Sequence, residues 1–140
     1  MIDTATGWYG VPATVKAVVV SDDGRVLLAR NHRNEWELPG GWPTRDDETV
    51  ADVIHREVLE EASVRVTVEA LLHAELAVVG GHQVMIIAYR CACSNPDNAT
   101  PSEEHQALRW TTSWELAELD LIQPYATAIR LALDPHDARG

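Results

Sequence analysis

Hydrophobic and polar positions alternate in short blocks along the chain, and these blocks predict a series of strands and helices. Residues 15–20 are apolar and mostly β-branched apart from Lys16, a pattern typical of a buried strand. The segment 21–24 (Ser-Asp-Asp-Gly) favours a hairpin turn with glycine in the left-handed position, and 25–30 returns as a second strand. A short extended piece at 36–38 then ends in a Pro-Gly-Gly turn.

A helix and a second hairpin follow this first group of strands. The helix is expected over 49–62, because this stretch has acids near its start and contains neither Gly nor Pro. Apolar segments at 64–79 and 83–93 predict two long strands, which the Gly-Gly pair at 80–81 joins by a turn. Residues 105–111 predict a further strand.

Two more helices are predicted after that strand. Thr112 and Glu115 have the spacing of a capping box, which favours a short helix. Pro124 suits a first helical position, and apolar residues recur at three-and-four spacing up to Leu133. The whole order predicts an α+β fold in which the 49–62 helix packs on a mixed, largely antiparallel sheet, because hairpin turns join the long strands.

The length and composition favour one globular domain. The chain has 140 residues, which suits a single domain over 1–140 with a loose arm at 1–13 and a tail at 135–140. No apolar run approaches the roughly 18 residues that a membrane span needs. The start of the chain carries Asp3 and no basic segment, unlike a secretory signal. A membrane protein is therefore excluded at this stage.

The charge balance narrows the range of partners. The chain has 11 basic and 22 acidic residues and a net charge of −11, which argues against binding to long DNA or RNA. A small phosphate ligand is compatible with this charge, because a divalent cation can bridge carboxylates and phosphates. Cys91 and Cys93 are the only cysteines, and no second pair or nearby histidine completes a zinc site. We interpret them as reduced thiols, which fit a cytoplasmic protein.

The most informative segment is a cluster of acids near the end of the predicted 49–62 helix. At about 100° per residue, Glu57 and Glu61 project along the apolar stripe of the helix, and Glu60 flanks them. Such a run is usually a solvated face, but like charges at this spacing destabilise a helix, and Arg56 is the only arginine or lysine on it. Carboxylates near an apolar wall need a partner, and Mg²⁺ prefers oxygen ligands. A solvated face and a metal site are thus the two open interpretations.

A glycine turn precedes this cluster at a defined distance. Residues 38–41 are Leu-Pro-Gly-Gly, Glu48 follows, and 56–64 are Arg-Glu-Val-Leu-Glu-Glu-Ala-Ser-Val. This arrangement resembles the signature of the Nudix hydrolases, in which a Gly and a Glu precede the run Arg-Glu-apolar-any-Glu-Glu-any-Gly-apolar. Two positions depart from the signature. The family glycine before Glu48 falls on Trp42, so the loop is one residue longer, and Ser63 replaces the glycine that ends the helix.

The resemblance implies a fold, a cofactor and a set of ligands. The expected fold is a Nudix-like α/β/α sandwich. The expected cofactor is Mg²⁺, with Mn²⁺ as a substitute. It would be held by Glu57, Glu60 and Glu61, and a backbone carbonyl of Gly40 or Gly41 would add a ligand. In this interpretation, metal ions neutralise the charge of a diphosphate and water attacks phosphorus.

Other residues receive catalytic or supporting roles from the same resemblance. Arg56 is expected to orient the acids through hydrogen bonds, and Glu48 is expected to support that network. Glu61 is the first candidate for the base. Glu104 is the candidate for a further ligand or an alternative base, with Glu103 as its competitor and a solvated loop acid as the remaining alternative.

Three residues outside the signature are candidates for binding the nucleotide. Trp36 is a candidate wall for stacking a base, and a core aromatic is the alternative. Arg30 and Arg45 are candidates for contacts with phosphates or ribose, and ordinary surface positions are the alternative.

The predicted function is hydrolysis of a nucleoside diphosphate linked to another moiety, with a small-molecule nucleotide as the partner. Nucleoside triphosphates, ADP-ribose, nucleotide sugars and dinucleoside polyphosphates all remain open as substrates. A nucleotide-binding sensor or interaction module without turnover, and a purely structural acidic domain, are the alternatives. The resemblance also makes a homodimer plausible.

Overall fold

The computed structural model describes residues 2–102 and 107–134. Seven strands, three α-helices and one 3₁₀ turn make up this described part. In chain order they are β1 Ala13–Val20, β2 Val26–Arg30, β3 Trp36–Glu37, β4 Gly40–Gly41, α1 Val50–Ala62, β5 Val66–Val79, β6 His82–Cys93, the 3₁₀ turn Pro96–Asn98, β7 Ala107–Thr111, α2 Ser113–Leu116 and α3 Gln123–Leu133.

All seven described strands belong to one mixed sheet. Strand β1 is parallel to β6, from the pair Ala13 and Met85 to the pair Val20 and Ala92. Every other pairing is antiparallel, including the long β5–β6 hairpin and the β2–β7 pair. The prediction of a mixed, largely antiparallel sheet is therefore confirmed.

Side chains of β1 alternate between the two faces of the sheet and separate two cores. Val15, Ala17 and Val19 pack with α1, whereas Val18 and Val20 pack with α3. Helices thus cover both faces, and the α/β/α sandwich is confirmed. The strand appeared as a continuous apolar run in the sequence because both of its faces are buried.

Helix α1 ends at the predicted residue, Ala62, and begins at Val50, one residue after the predicted start. Thr49 caps its start, since the Thr49 hydroxyl accepts from the Asp52 N–H at 3.1 Å and the Asp52 carboxylate accepts from the Thr49 N–H at 3.0 Å. Ser63 ends the helix in the left-handed region, with φ 60° and ψ 24°. The predicted capping box of Thr112 and Glu115 also forms, at the start of α2.

One predicted turn is wrong, because the structure forms a strand there. Gly40–Gly41 forms β4, which pairs antiparallel with β1 opposite Lys16 and Val15. Gly40 has φ +142°, and a Cβ at that position would lie 2.1 Å from the carbonyl oxygen of Val15. Only glycine permits this close pairing, which also places β4 beside α1.

Residues 2–12 of the predicted N-terminal arm are mostly exposed and include a local turn, whereas Ala13 already belongs to β1. The N–H of Asp3 donates to the carbonyl of Trp8 at 2.7 Å. The Tyr9 hydroxyl donates to Oε1 of Gln83 at 2.9 Å, so one aromatic of the arm contacts the β5–β6 hairpin.

Several predictions fall on residues whose structure is not described. The tail at 135–140, His105 at the start of the predicted strand, and the candidate acids Glu103 and Glu104 lie outside the described residues. The assignment of a single domain stays a prediction. Of the described helices, none has the length and apolar composition to cross a membrane.

Candidate active site

Glu61 is a buried carboxylate at the C-terminal end of α1. It is 6% exposed, and its Oε2 accepts a hydrogen bond from the Gly40 N–H at 2.9 Å. Burial raises the pKa of Glu61 to about 8, although the Gly40 N–H and the charge of Lys16 act in the opposite direction. The nearby Glu57 carboxylate raises it further. A cation bound beside this carboxylate would offset the cost of burying its charge.

Glu57 lies one helical turn before Glu61 and faces the second glycine of β4. A Cβ on Gly41 would lie 2.7 Å from the carboxyl carbon of Glu57, so only glycine leaves room for this side chain. Nη1 of Arg56 donates to Oε1 of Glu57 at 2.8 Å. Strand β4 and helix α1 together bring Glu57 and Glu61 to one place.

Arg56 is held by an acid that the sequence analysis did not identify. Its Nη2 and Nε donate to the two carboxylate oxygens of Asp47, at 2.8 and 3.2 Å, and Nη2 also donates to the Trp42 carbonyl at 3.2 Å. These hydrogen bonds lower the pKa of Asp47 to about 2. Asp47 therefore holds Arg56, a role that the sequence analysis expected of Glu48. The backbone N–H of Glu48 donates to the Asp52 carboxylate instead.

Glu60 is separated from the other two glutamates. Its side chain is 60% exposed, and its carboxylate lies 3.6 Å from Nη1 of Arg56. Among the described residues, no group of three His, Cys, Asp or Glu side chains is assembled to hold a metal ion. Arg56 engages Glu57 and Glu60, and the Gly40 N–H engages Glu61.

The donor set nevertheless fits a hard divalent cation. Glu57 and Glu61 offer carboxylate oxygens, which Mg²⁺ and Mn²⁺ prefer. Because Gly41 has no Cβ, the Glu57 carboxylate can lie close to β4. Glu60 requires a rotation of its exposed side chain to join them, so its ligand role stays a prediction.

Glu57 and Glu61 line a cavity of about 610 Å³ together with Gly40, Gly41 and Lys16. We call this space the glutamate cavity. Glu37 and Tyr125 also line it, together with residues of β5 and β6, so its walls come from β1, β3, β4, β5, β6, α1 and α3. Its volume is sufficient for a small molecule beside the two carboxylates.

None of the three candidates for nucleotide binding lines the glutamate cavity itself. Trp36 lines an adjoining cavity of about 250 Å³, which shares Arg33, Glu37, Val79 and Tyr125 with the glutamate cavity. The guanidinium of Arg30 lies 5.7 Å from the centroid of the Trp36 ring. Neither Arg30 nor Arg45 lines the glutamate cavity, and their substrate contacts stay predictions.

Sequence reasoning missed several residues of the cavity. Lys16 is the only charged residue in a predicted strand that is otherwise apolar, and this pattern could have identified it. The sequence of the carboxylate cluster does not indicate that Lys16 lies nearby. Glu37 and Tyr125 carried no comparable signal, because only the tertiary fold brings β3 and α3 next to α1.

Comparisons of the sequence with known proteins identify the family. The family model described as "NUDIX domain" matches residues 10–132. A MutT-like protein of Streptomyces ambofaciens is 37% identical over 127 residues, which cover 88% of this chain and 79% of that protein.

Solved structures also share the fold. The structure of a Caenorhabditis elegans Ap4A hydrolase in a binary complex aligns with TM-score 0.75 and 18% identity, covering 86% of this chain and 93% of that chain. An ADP-ribose pyrophosphatase from Streptococcus suis aligns with TM-score 0.68 and 24% identity, covering 94% of each chain.

Proposed function

The chain belongs to the Nudix family of hydrolases, and we propose that it is a Mg²⁺-dependent pyrophosphohydrolase of nucleotide derivatives. The substrate would be a nucleoside diphosphate linked to another moiety. The single observation that carries the proposal is the convergence of Glu57 and Glu61 on the glycines of β4 in one cavity. The acids are those of the family signature, and the cavity has room for a nucleotide beside them.

The substrate class is supported by the solved relatives. Ap4A and ADP-ribose, named for two of them, both contain a nucleoside diphosphate joined to a further group. Nucleoside triphosphates, ADP-ribose, nucleotide sugars and dinucleoside polyphosphates therefore remain the candidates. Mg²⁺ is the proposed cofactor, and Mn²⁺ has the same preference for oxygen ligands.

Each residue of the site has a defined part in the proposed reaction. When bound, metal ions neutralise the charge of the diphosphate, polarise the phosphoryl oxygen and lower the pKa of bound water. Glu57 and Glu61 would hold the metal, joined by Glu60. Arg56 positions Glu57, and Asp47 fixes Arg56 from the loop before α1.

Proton transfer is the second part of the proposal. Glu61 is the proposed base, because it lies in the glutamate cavity at the position of the last acid of the family signature. The Gly40 N–H fixes the orientation of its carboxylate. Glu104 stays the alternative base on the grounds of the resemblance alone.

The decisive experiment compares hydrolysis of a nucleotide panel by wild type, Glu57→Gln and Glu61→Gln at fixed Mg²⁺. We expect kcat to fall by about two orders of magnitude or more in both variants, because each loses a charged group at the reacting centre. Thermal unfolding should show that both variants fold, since Gln retains nearly the same shape. Glu118→Gln, an exposed acid outside the glutamate cavity, is the matched control and should retain wild-type activity.

Other outcomes would identify the alternatives. Binding of a nucleotide with equal background turnover in wild type and Glu61→Gln would indicate a non-catalytic sensor. The absence of any Mg²⁺-dependent thermal shift in the wild type would indicate a structural acidic domain. Loss of folding in both variants would count against a catalytic role for the two glutamates.

The cellular setting belongs to the same proposal. A cytoplasmic location is supported by Cys91 and Cys93, which are buried free thiols on one face of β6. A homodimer stays a prediction from the family resemblance.

A further inference from the structure

Lys16 is the only lysine of the chain, and it occupies a core position on β1. Val18 and Val20, its neighbours on the same face of the strand, are buried in the α3 core. Lys16 itself is 7% exposed. Burial of an ammonium is unfavourable unless the charge has a partner or a function, so packing alone does not explain this residue.

The contacts that hold the Lys16 side chain are to neutral groups. Nζ donates to the carbonyl oxygen of Leu38 at 3.2 Å and lies 5.7 Å from the centroid of the Tyr125 ring. The carbonyl and the ring orient the ammonium without neutralising its charge. An ammonium has three N–H donors, and Leu38 and Tyr125 use two of them at most, so Lys16 retains the capacity to bind an anion.

The glutamate cavity supplies the place for that anion. Lys16 lines it together with Glu57 and Glu61, and its charge acts on Glu61. The cavity therefore presents carboxylates suited to a cation and an ammonium suited to an anion. A diphosphate with a bound divalent cation suits both groups. Its cation can bind the carboxylates, and its remaining oxygens can accept charge-assisted hydrogen bonds from the ammonium.

We infer that Lys16 contacts the substrate, and that its ammonium donates a hydrogen bond to a phosphate oxygen of the nucleotide bound beside Glu61. This inference rests on the proposed function, because it assigns a contact within the same cavity. The competing explanation is that Lys16 only balances the charge of Glu61 and never touches the ligand.

The test measures the affinity for methylenediphosphonate, a diphosphate analogue that cannot be hydrolysed and carries no base. Calorimetric titrations with Mg²⁺ present would compare the wild type with Lys16→Met, Lys16→Gln and Lys16→Arg. Loss of one charge-assisted hydrogen bond should weaken binding by about ten- to a hundredfold in the Met and Gln variants. Lys16→Arg should retain part of the affinity, because it keeps the charge.

A matched control removes a cation elsewhere. Arg65→Met replaces an exposed arginine outside the glutamate cavity and should leave the affinity within about twofold, since it lacks any direct contact there. Thermal unfolding would check that Lys16→Met folds. We expect it to fold, because Val18 and Val20 on the same face of β1 are also apolar. If Lys16→Met rearranges the core, Lys16→Gln still measures the effect of removing the charge.

The results separate the inference from the proposed function. Unchanged affinity in folded Lys16→Met and Lys16→Gln, or absence of binding by the wild type, would overturn the inference. A wild type that hydrolyses nucleotides, with KM unchanged in Lys16→Met, would refute the Lys16 contact alone. Lys16-dependent binding of the analogue by a wild type without turnover would support the contact and refute only the hydrolase proposal.

Discussion

Ser63 shows how one residue of a signature can be replaced at an energetic cost. It ends α1 in the left-handed region with φ 60°, and its N–H donates to the Leu59 carbonyl at 3.0 Å. This conformation is unfavourable for a residue with a Cβ, by about 1 kcal/mol or more. Ser63→Gly should therefore raise the free energy of unfolding by about 1 kcal/mol, measured by urea denaturation of the metal-free protein.

A second substitution at the same position separates the backbone from the side chain. Ser63→Ala removes the hydroxyl but keeps the Cβ, so it should give no gain in stability. An equal gain in Ser63→Ala and Ser63→Gly would show that the serine hydroxyl, and not the left-handed backbone, is responsible.

At the scale of elements, β4 links folding to the candidate site through two adjacent glycines with different neighbours. A Cβ on Gly40 would lie 2.1 Å from the Val15 carbonyl oxygen, whereas the atoms nearest to a Cβ on Gly41 are those of the Glu57 carboxylate, from 2.7 Å. Gly40→Ala should destabilise the protein by more than about 2 kcal/mol, because backbone must move and φ is positive. Gly41→Ala should instead fold and lose at least tenfold in kcat, because a flexible carboxylate is displaced.

Parallel measurements on the two variants check this division. Circular dichroism melting curves report folding, and nucleotide hydrolysis with Mg²⁺ reports the site. Wild-type turnover in Gly41→Ala would contradict the role given to Glu57, and a stable Gly40→Ala would contradict the pairing of β4 with β1.

The same strand shows where sequence reasoning reaches its limit. Helix α1 was predictable from Thr49 to Ala62, because its cap and its apolar period are local features of the chain. Pro39 and two glycines also indicate a turn locally, and only the contact with β1 makes the glycines a strand. Asp47 was missed for a similar reason, since the position of Arg56 relative to its loop depends on the tertiary fold.

For the whole molecule, the free energy of unfolding depends on pH through two sets of carboxyl groups. One set stabilises the folded state as the pH rises, and the other stabilises it as the pH falls. Hydrogen bonds to arginine lower the pKa of Asp47 and Glu115 to about 2. Their folded pKa values lie below the unfolded values of 3.8 and 4.5, so they stabilise the protein above about pH 4.5. That contribution disappears as the pH falls toward 2.

Glu61 acts in the other direction. Its folded pKa of about 8 lies above the unfolded value of 4.5, so the folded state binds the proton more tightly. The stabilising contribution is complete below pH 4.5 and is lost as the pH rises to about 8. The combined contribution of these three carboxyl groups to the stability of the metal-free protein is therefore greatest near pH 4.5.

We therefore expect the free energy of unfolding of the metal-free protein to fall between pH 5 and pH 8, with a slope approaching about 1.4 kcal/mol per pH unit. Glu61→Gln should abolish this decline and leave the acid limb below pH 4 unchanged, because Asp47 and Glu115 remain. Mg²⁺ should reduce the decline in the wild type, since binding to the ionised carboxylate offsets the loss of the proton. Urea denaturation in EDTA and in Mg²⁺ at unit pH steps measures all three effects. Identical slopes for wild type and Glu61→Gln in EDTA would show that the proton is held elsewhere.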